Sequence, residues 1–137
     1  MSVRVFWDSD EQKIIWYVVE GTWTWDEMYA AYYKGSELQK SVSHRFHAII
    51  DMRRAVGIPP NTMLHVTNFS TIQVENLGIR AIVTTDTFVK SLFQIGAKFS
   101  SKLSQHFVMV QTVEQAYARI AEAQAEDSQT RSHGPLP

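Results

Sequence analysis

Apolar residues occupy every second position at the start of the chain, which is the period of a β-strand. Val3, Val5 and Trp7 lie two residues apart. A polar turn over residues 8–12 separates them from a β-rich run over residues 13–20. Two such runs joined by a short polar turn are typical of a hairpin, so we predict an antiparallel pair of strands at the start of the fold.

A helical pattern follows the hairpin. Thr24 and Glu27 have the spacing of a capping box, in which each side chain bonds the backbone N–H of the other residue. Apolar and aromatic residues then recur at the spacing of one helix face. We therefore predict a helix from residue 25 to about residue 40, carrying Trp25, Met28, Tyr29 and Tyr32.

Strands and helices then alternate along the rest of the chain. We predict buried strands over residues 44–51, 79–84 and 106–111, separated by helices over 61–76 and from Thr85 to about Leu103. A second capping box, Thr112 with Gln115, begins the last helix. The order β-β-α-β-α-β-α-β-α indicates an α/β fold in which helices flank a mostly parallel sheet, since strand–helix–strand units make right-handed parallel crossovers.

Composition limits the size and class of the protein. A chain of 137 residues suits a single domain, which we assign to residues 1–126; residues 127–137 lack an apolar period and are predicted to form a disordered tail. The chain has no cysteine, and its net charge of −1 does not favour nucleic-acid binding. The longest apolar run, Ile14–Val19, is far too short to span a membrane, and no signal-peptide pattern is present. We therefore expect a cytoplasmic protein.

Four segments resemble one family: Gly21–Glu27 (GTWTWDE), Ile49–Arg53 (IIDMR), Ile79–Val83 (IRAIV), and Phe107–Val110 with Val113–Ala116. On these segments the chain resembles the SpoIIAA-like (STAS-like) proteins, relatives of the domain named for sulfate transporters and anti-sigma-factor antagonists. The resemblance covers residues 3 to about 123. It implies a small sheet-and-helix binding module that often regulates another protein.

The chain departs from the phosphoregulated members of that family. In those proteins an Asp-Ser pair starts the helix after the third strand, and the serine accepts phosphate. Here the corresponding positions are Pro59 and Pro60, and no serine occurs between Ser43 and Ser70. We therefore expect a module without the serine phosphoswitch, in which Thr62 is a poor substitute for the phosphoacceptor.

Candidate binding residues follow the carboxyl ends of the predicted parallel strands, where α/β sheets collect ligands. Arginines near a helix start can hold a phosphate or a carboxylate of a partner. The alternative is that the acidic side chain pairs with an arginine and the threonines cap helices. The candidates are Asp51, Arg53, Arg54, Thr62, Thr85 and Asp86.

Aromatic residues are concentrated near the N-terminus, with nine of the sixteen in the first 33 residues. Core packing can account for part of this set, and the rest can line an apolar ligand pocket or a homodimer interface. The first strand also offers little charge to protect a sheet edge, which favours pairing with a second copy. The candidate interface residues are Trp7, Tyr29, Tyr32 and Tyr33.

Catalytic and metal motifs are not found in the sequence. The five histidines are not spaced as metal ligands, and no nucleophile–base set can be assembled, so we predict no metal, no cofactor and no enzymatic activity. The first hypothesis is a regulatory module that recognises a protein partner or a small ligand. The second is a carrier of an apolar small molecule in a pocket lined by the N-terminal aromatics. An enclosed apolar cavity would favour the carrier, and a flat aromatic patch would favour the partner-binding module.

Overall fold

The computed structural model describes residues 2–72, 74–99 and 101–132. These residues form one five-stranded sheet and the helices packed on it. The strands are β1 (Val3–Trp7), β2 (Ile14–Gly21), β3 (Phe46–Ala55), β4 (Leu77–Val83) and β5 (Phe107–Val110). The helices are α1 (Trp25–Gln39), α2 (Thr62–Thr71), α3 (Thr87–Phe99), α4 (Ser101–His106) and α5 (Val113–Ser132).

The strands lie in the sheet in the same order as in the chain, β1-β2-β3-β4-β5. β1 and β2 form the predicted antiparallel hairpin, and every later pair is parallel. The predicted α/β class and the mostly parallel sheet are therefore confirmed. Because right-handed crossovers that progress in one direction keep their helices on one side of a sheet, α1, α2 and α3 cover one face, and α5 packs on the other.

Register assigns each strand residue to one of these two faces. Ala48 pairs with Arg80, and Arg80 pairs with Phe107, so these three side chains share the face toward α1, α2 and α3. The opposite face carries a second cluster, in which Ile49 and Ala81 pack with Ile120 of α5. Each face of the sheet therefore has its own apolar layer.

Both predicted capping boxes are confirmed. At the start of α1, the Thr24 hydroxyl oxygen accepts from the backbone N–H of Glu27 at 3.1 Å, and the Glu27 carboxylate accepts from the backbone N–H of Thr24 at 3.1 Å. Thr112 and Gln115 make the same pair of bonds before α5. At the start of α2, Asn61 occupies the N-cap position with φ 65° and makes no side-chain capping bond.

Several predicted boundaries differ from the structure. β3 extends to Ala55, into the predicted loop, because its last residues pair with the end of β2. α2 ends at Thr71, five residues early, which agrees with the β-branched residues near its end. The helix predicted from Thr85 to about Leu103 corresponds to α3 and α4, which lie on either side of residue 100, a position outside the described residues.

The C-terminal boundary also differs from the prediction. The sequence predicted a disordered tail from Asp127, whereas α5 continues to Ser132; residues 133–137 lie outside the described part of the chain. Asp127 is tied to the sheet, because its carboxylate lies 3.2 Å from Nε2 of buried His47 and 3.4 Å from Nε of Arg45. A contact between residues 80 positions apart has no local sequence signal.

The chemistry of His47 makes this contact specific. The backbone N–H of Ile79 donates to Nδ1 of His47 at 3.0 Å, so Nδ1 must be unprotonated and the proton lies on Nε2, which donates to Asp127. Burial lowers the pKa of His47 below its usual value, which keeps the ring neutral. The α5 helix is thereby anchored to β3 by a partly buried hydrogen bond.

Removing this anchor is expected to destabilise the fold. Asp127→Ala leaves the Nε2 proton of His47 without its acceptor, so we expect the free energy of unfolding to fall by about 1–2 kcal/mol in urea denaturation. Glu122→Ala on the same helix is the control, because Glu122 makes only an exposed ion pair with Arg119 at 3.8 Å. Equal stability of the two variants would contradict the anchor.

Candidate functional site

A cavity of about 160 Å³ lies between the sheet and the helices α1, α2 and α3. The sheet contributes its floor through side chains of β2, β3, β4 and β5, and the three helices contribute its walls. Ordinary protein cores contain few voids larger than a water molecule, so a cavity of this size between the layers is a distinctive feature of the fold. Its lining includes Met28, Ala48, Ile50, Met52, Val66, Ile82, Leu92 and Met109.

Two tryptophans close the cavity near the start of α1. The indole N–H of Trp23 donates to the Gly57 carbonyl at 3.1 Å, and that of Trp25 donates to the Pro60 carbonyl at 2.9 Å. The two rings meet edge to face with centroids 4.8 Å apart. These contacts hold the loop between β3 and α2 against α1, so the loop becomes part of the cavity wall.

An aromatic cluster joins α1 to α2. Trp25 stacks on the ring of His65 with centroids 4.8 Å apart, and Tyr29 stacks on Phe69 at 4.6 Å. The Tyr29 hydroxyl lies 2.8 Å from Nδ1 of His65. These stacked aromatic rings lie between α1 and α2 and set the distance between the two helices. The cavity lies beneath them, between the helices and the sheet.

Polar groups are few in the cavity, and they lie near one another. Arg80 projects from β4, and its guanidinium lies 4.9 Å from the centroid of the Phe107 ring. The hydroxyl-bearing rings of Tyr17 and Tyr32 interact electrostatically with this guanidinium, and Gln39 hydrogen-bonds Tyr17. Burial raises the pKa of Tyr17, so its hydroxyl stays protonated, and burial lowers the pKa of Arg80, which still leaves it charged.

Of the binding residues predicted at the strand ends, Asp51 and Arg53 pair with each other. Arg53 donates to both carboxylate oxygens of Asp51, from Nε at 2.9 Å and from a terminal nitrogen at 2.8 Å. The hydrogen bonds from Arg53 hold the pKa of Asp51 below its usual value. This is the internal ion pair that the sequence left open as an alternative. Arg54 is exposed and lies 3.9 Å from Glu20.

The other candidates have separate roles. The Thr62 hydroxyl donates to the Pro59 carbonyl at 3.0 Å at the start of α2, and Thr62 also lines the cavity. Asp86 caps α3 by accepting from the backbone N–H of Phe88 at 2.8 Å, and Thr85 is exposed beside it. Thr62 is therefore the one predicted binding residue that reaches the cavity, and partner binding by the others stays a prediction.

Three of the four predicted interface aromatics lie on α1, where Tyr32 meets Tyr33 edge to face with ring centroids 6.1 Å apart, and Trp7 lies on β1; an interface formed by them stays a prediction. Trp7 packs edge to face on Phe46 with centroids 5.6 Å apart, Tyr29 packs on Phe69, and Tyr32 lines the cavity. Tyr33 is 67% exposed. The first three are half-buried within the fold, so the surplus of N-terminal aromatics goes mainly into the core and the cavity wall.

Sequence reasoning missed the most distinctive residues of the cavity, Arg80 and Tyr17. Its one available signal was an arginine inside the otherwise apolar run Ile79–Val83. Among the described residues, no helix is both long and apolar enough to cross a membrane, and no three His, Asp or Glu side chains come together as metal ligands would.

Comparisons with known proteins do not assign the chain to a family. No protein-family model matches the chain, and no curated protein matches it either.

Proposed function

We propose that this chain is a non-catalytic module that binds a small apolar molecule in the cavity between the sheet and α1, α2 and α3. The single observation that carries the proposal is the cavity itself, with about 160 Å³ of space and a lining of mainly apolar and aromatic side chains. Ligand sites typically combine such a lining with a few placed polar groups. A concave apolar space between the sheet and the helices favours a carrier over a flat partner-binding surface.

The energetics of packing support the proposal. An apolar molecule that occupies an apolar space packs against the lining side chains, a contribution of about 24 cal/mol per Å³ in fully buried cavities. Apolar cavities of similar size in other proteins take up small hydrophobic molecules such as benzene. Filling the cavity therefore stabilises the fold and binds the ligand in the same step.

Other parts of the proposal derive from the sequence. The STAS-like family, a cytoplasmic location, recognition of a protein partner and the lack of a serine phosphoswitch stay predictions. A homodimer also stays a prediction, and two features support it. β1 is an edge strand, because β2 is the one described strand that pairs with it, and the Tyr33 side chain is exposed.

Binding of octan-1-ol tests the proposed function. Because Trp23 and Trp25 line the cavity, we expect octan-1-ol to change the intrinsic tryptophan fluorescence saturably and to give a single site in calorimetry. Val66→Phe places a ring in the cavity and is expected to weaken this binding by about tenfold or more.

Leu64→Phe is the matched control, because Leu64 lies on the same helix and is 60% exposed. It is expected to leave the affinity unchanged. Far-UV circular dichroism establishes that both variants are folded. Absence of saturable binding by the wild type, or equal affinity in Val66→Phe, would overturn the proposed function.

A further inference from the structure

The cavity has one charged side chain among the described residues of its lining. That side chain is Arg80, which carries a formal charge at neutral pH. Arg80 lies on the floor, in the middle of the sheet, where it pairs with Ala48 of β3 on one side and Phe107 of β5 on the other. Its position is set by strand register, which places its side chain on the face that the helices cover.

The guanidinium is incompletely satisfied by the protein. No carboxylate in the described part of the chain forms an ion pair with Arg80. One terminal nitrogen donates to the Ile72 carbonyl at a long 3.4 Å, and the Phe107 ring lies beside the guanidinium. Since a guanidinium has five N–H donors, most of them have no hydrogen-bond acceptor among the described residues.

Arg80 is half-buried, and a charge that is partly removed from water is stabilised by a partner. Removing a charged group from solvent is costly unless it is paired and hydrogen-bonded, and arginine does not relieve the cost by losing its proton. The neighbouring groups are the hydroxyls of Tyr17 and Tyr32. Hydroxyl groups can also donate hydrogen bonds, so the polar part of the lining includes neutral donors besides the guanidinium.

We infer that the cavity binds a monocarboxylic acid with an apolar body, whose carboxylate pairs with Arg80. The inference rests on the proposed function and names the class of its ligand. A carboxylate matches the planar fork of a guanidinium through two parallel hydrogen bonds, and one negative charge balances the one positive charge of the lining. The volume of about 160 Å³ suits a body of roughly one aromatic ring or a chain of about six to ten carbons.

The remaining lining fits the body of such an acid. The lining also includes Ile50 and Ile82, which pair across β3 and β4, and Val66 and Leu92 of the helices. These side chains offer no hydrogen-bonding groups, so they favour an alkyl chain or a ring and disfavour a second polar group on the ligand. The cavity therefore combines one charged group with a mainly apolar lining among the described residues.

A matched pair of probes tests the inference. Octanoate and octan-1-ol have the same chain length and differ in the charged end group, so calorimetry at pH 7 on the wild type isolates the contribution of the charge. We expect octanoate to bind at least about tenfold more tightly than octan-1-ol. The reason is that hydrogen bonds between charged groups contribute more binding free energy than hydrogen bonds to a neutral group.

Arg80→Met removes the charge and keeps an unbranched side chain. It is expected to weaken octanoate binding by about tenfold or more while changing octan-1-ol binding by no more than about twofold. Arg119→Met is the control, because Arg119 is half-exposed on α5, on the other face of the sheet. It is expected to leave both affinities unchanged.

The outcomes separate this inference from the proposed function. If the wild type binds octan-1-ol as tightly as octanoate, the carboxylate inference is overturned and the apolar site stands. If the wild type binds neither probe, both are overturned. Should Arg80→Met fail to fold, the comparison of the two probes on the wild type still decides the inference.

Discussion

Phe46→Ala is expected to lower the free energy of unfolding by about 3–5 kcal/mol, which is a large fraction of the 5–15 kcal/mol of an ordinary domain. Phe46 is fully buried at the start of β3, and its ring meets Trp7 edge to face with centroids 5.6 Å apart. Removing the ring exposes neighbouring apolar side chains to an empty space. Urea denaturation measures the loss as a lower midpoint with an unchanged slope.

Phe6→Ala is the matched control for this prediction. Phe6 lies on β1, is 40% exposed and stacks on Trp16 with ring centroids 6.3 Å apart. The same chemical change should there cost about 1 kcal/mol or less, because a large part of the ring stays in contact with water and its removal leaves no enclosed cavity. Similar losses in the two variants would contradict the assigned position of Phe46 in the core.

Gly78→Ala is expected to destabilise the protein by about 3 kcal/mol, although it adds one methyl group. Gly78 lies on β4 beside His47, and a Cβ at this position would overlap the imidazole ring. The ring has little freedom to move away, because Ile79 bonds Nδ1 and Asp127 bonds Nε2. The glycine is therefore required by the close approach of a buried side chain.

A double-mutant cycle with His47→Ala distinguishes this overlap from a local effect of alanine on the strand. His47→Ala removes the ring, so Gly78→Ala in that background should cost less than about 1 kcal/mol. The measurement is urea denaturation of the wild type, both single variants and the double variant. An equal cost of Gly78→Ala in the two backgrounds would rule out contact with His47 as its cause.

The elements of the fold were largely predictable from local patterns. A capping box joins residues three positions apart, so Thr24 with Glu27 and Thr112 with Gln115 are visible in the sequence and form as predicted. The order of strands and helices likewise limits the topology, because right-handed crossovers leave few ways to build a parallel sheet. The pair of Asp51 with Arg53 was also foreseeable, since the two residues lie two positions apart.

Element ends were less predictable, because pairing partners decide them. β3 extends through Ala55 because its last residues pair with the end of β2, although Gly57 and the following prolines predict that the loop begins earlier. The last helix continues past Asp127, whose carboxylate accepts a hydrogen bond from His47 and forms an ion pair with Arg45. Periodicity within a segment contains no information about either partner.

The sequence by itself determined the α/β class, the hairpin and the helix starts, because these depend on spacings of two to four residues. Only the tertiary structure decided that Arg80 faces the helices, that aromatic rings separate α1 from α2, and that a cavity remains between them. The reason is physical. A buried strand is apolar on both faces, so its sequence does not say which face a charged residue occupies, and the register with neighbouring strands settles it.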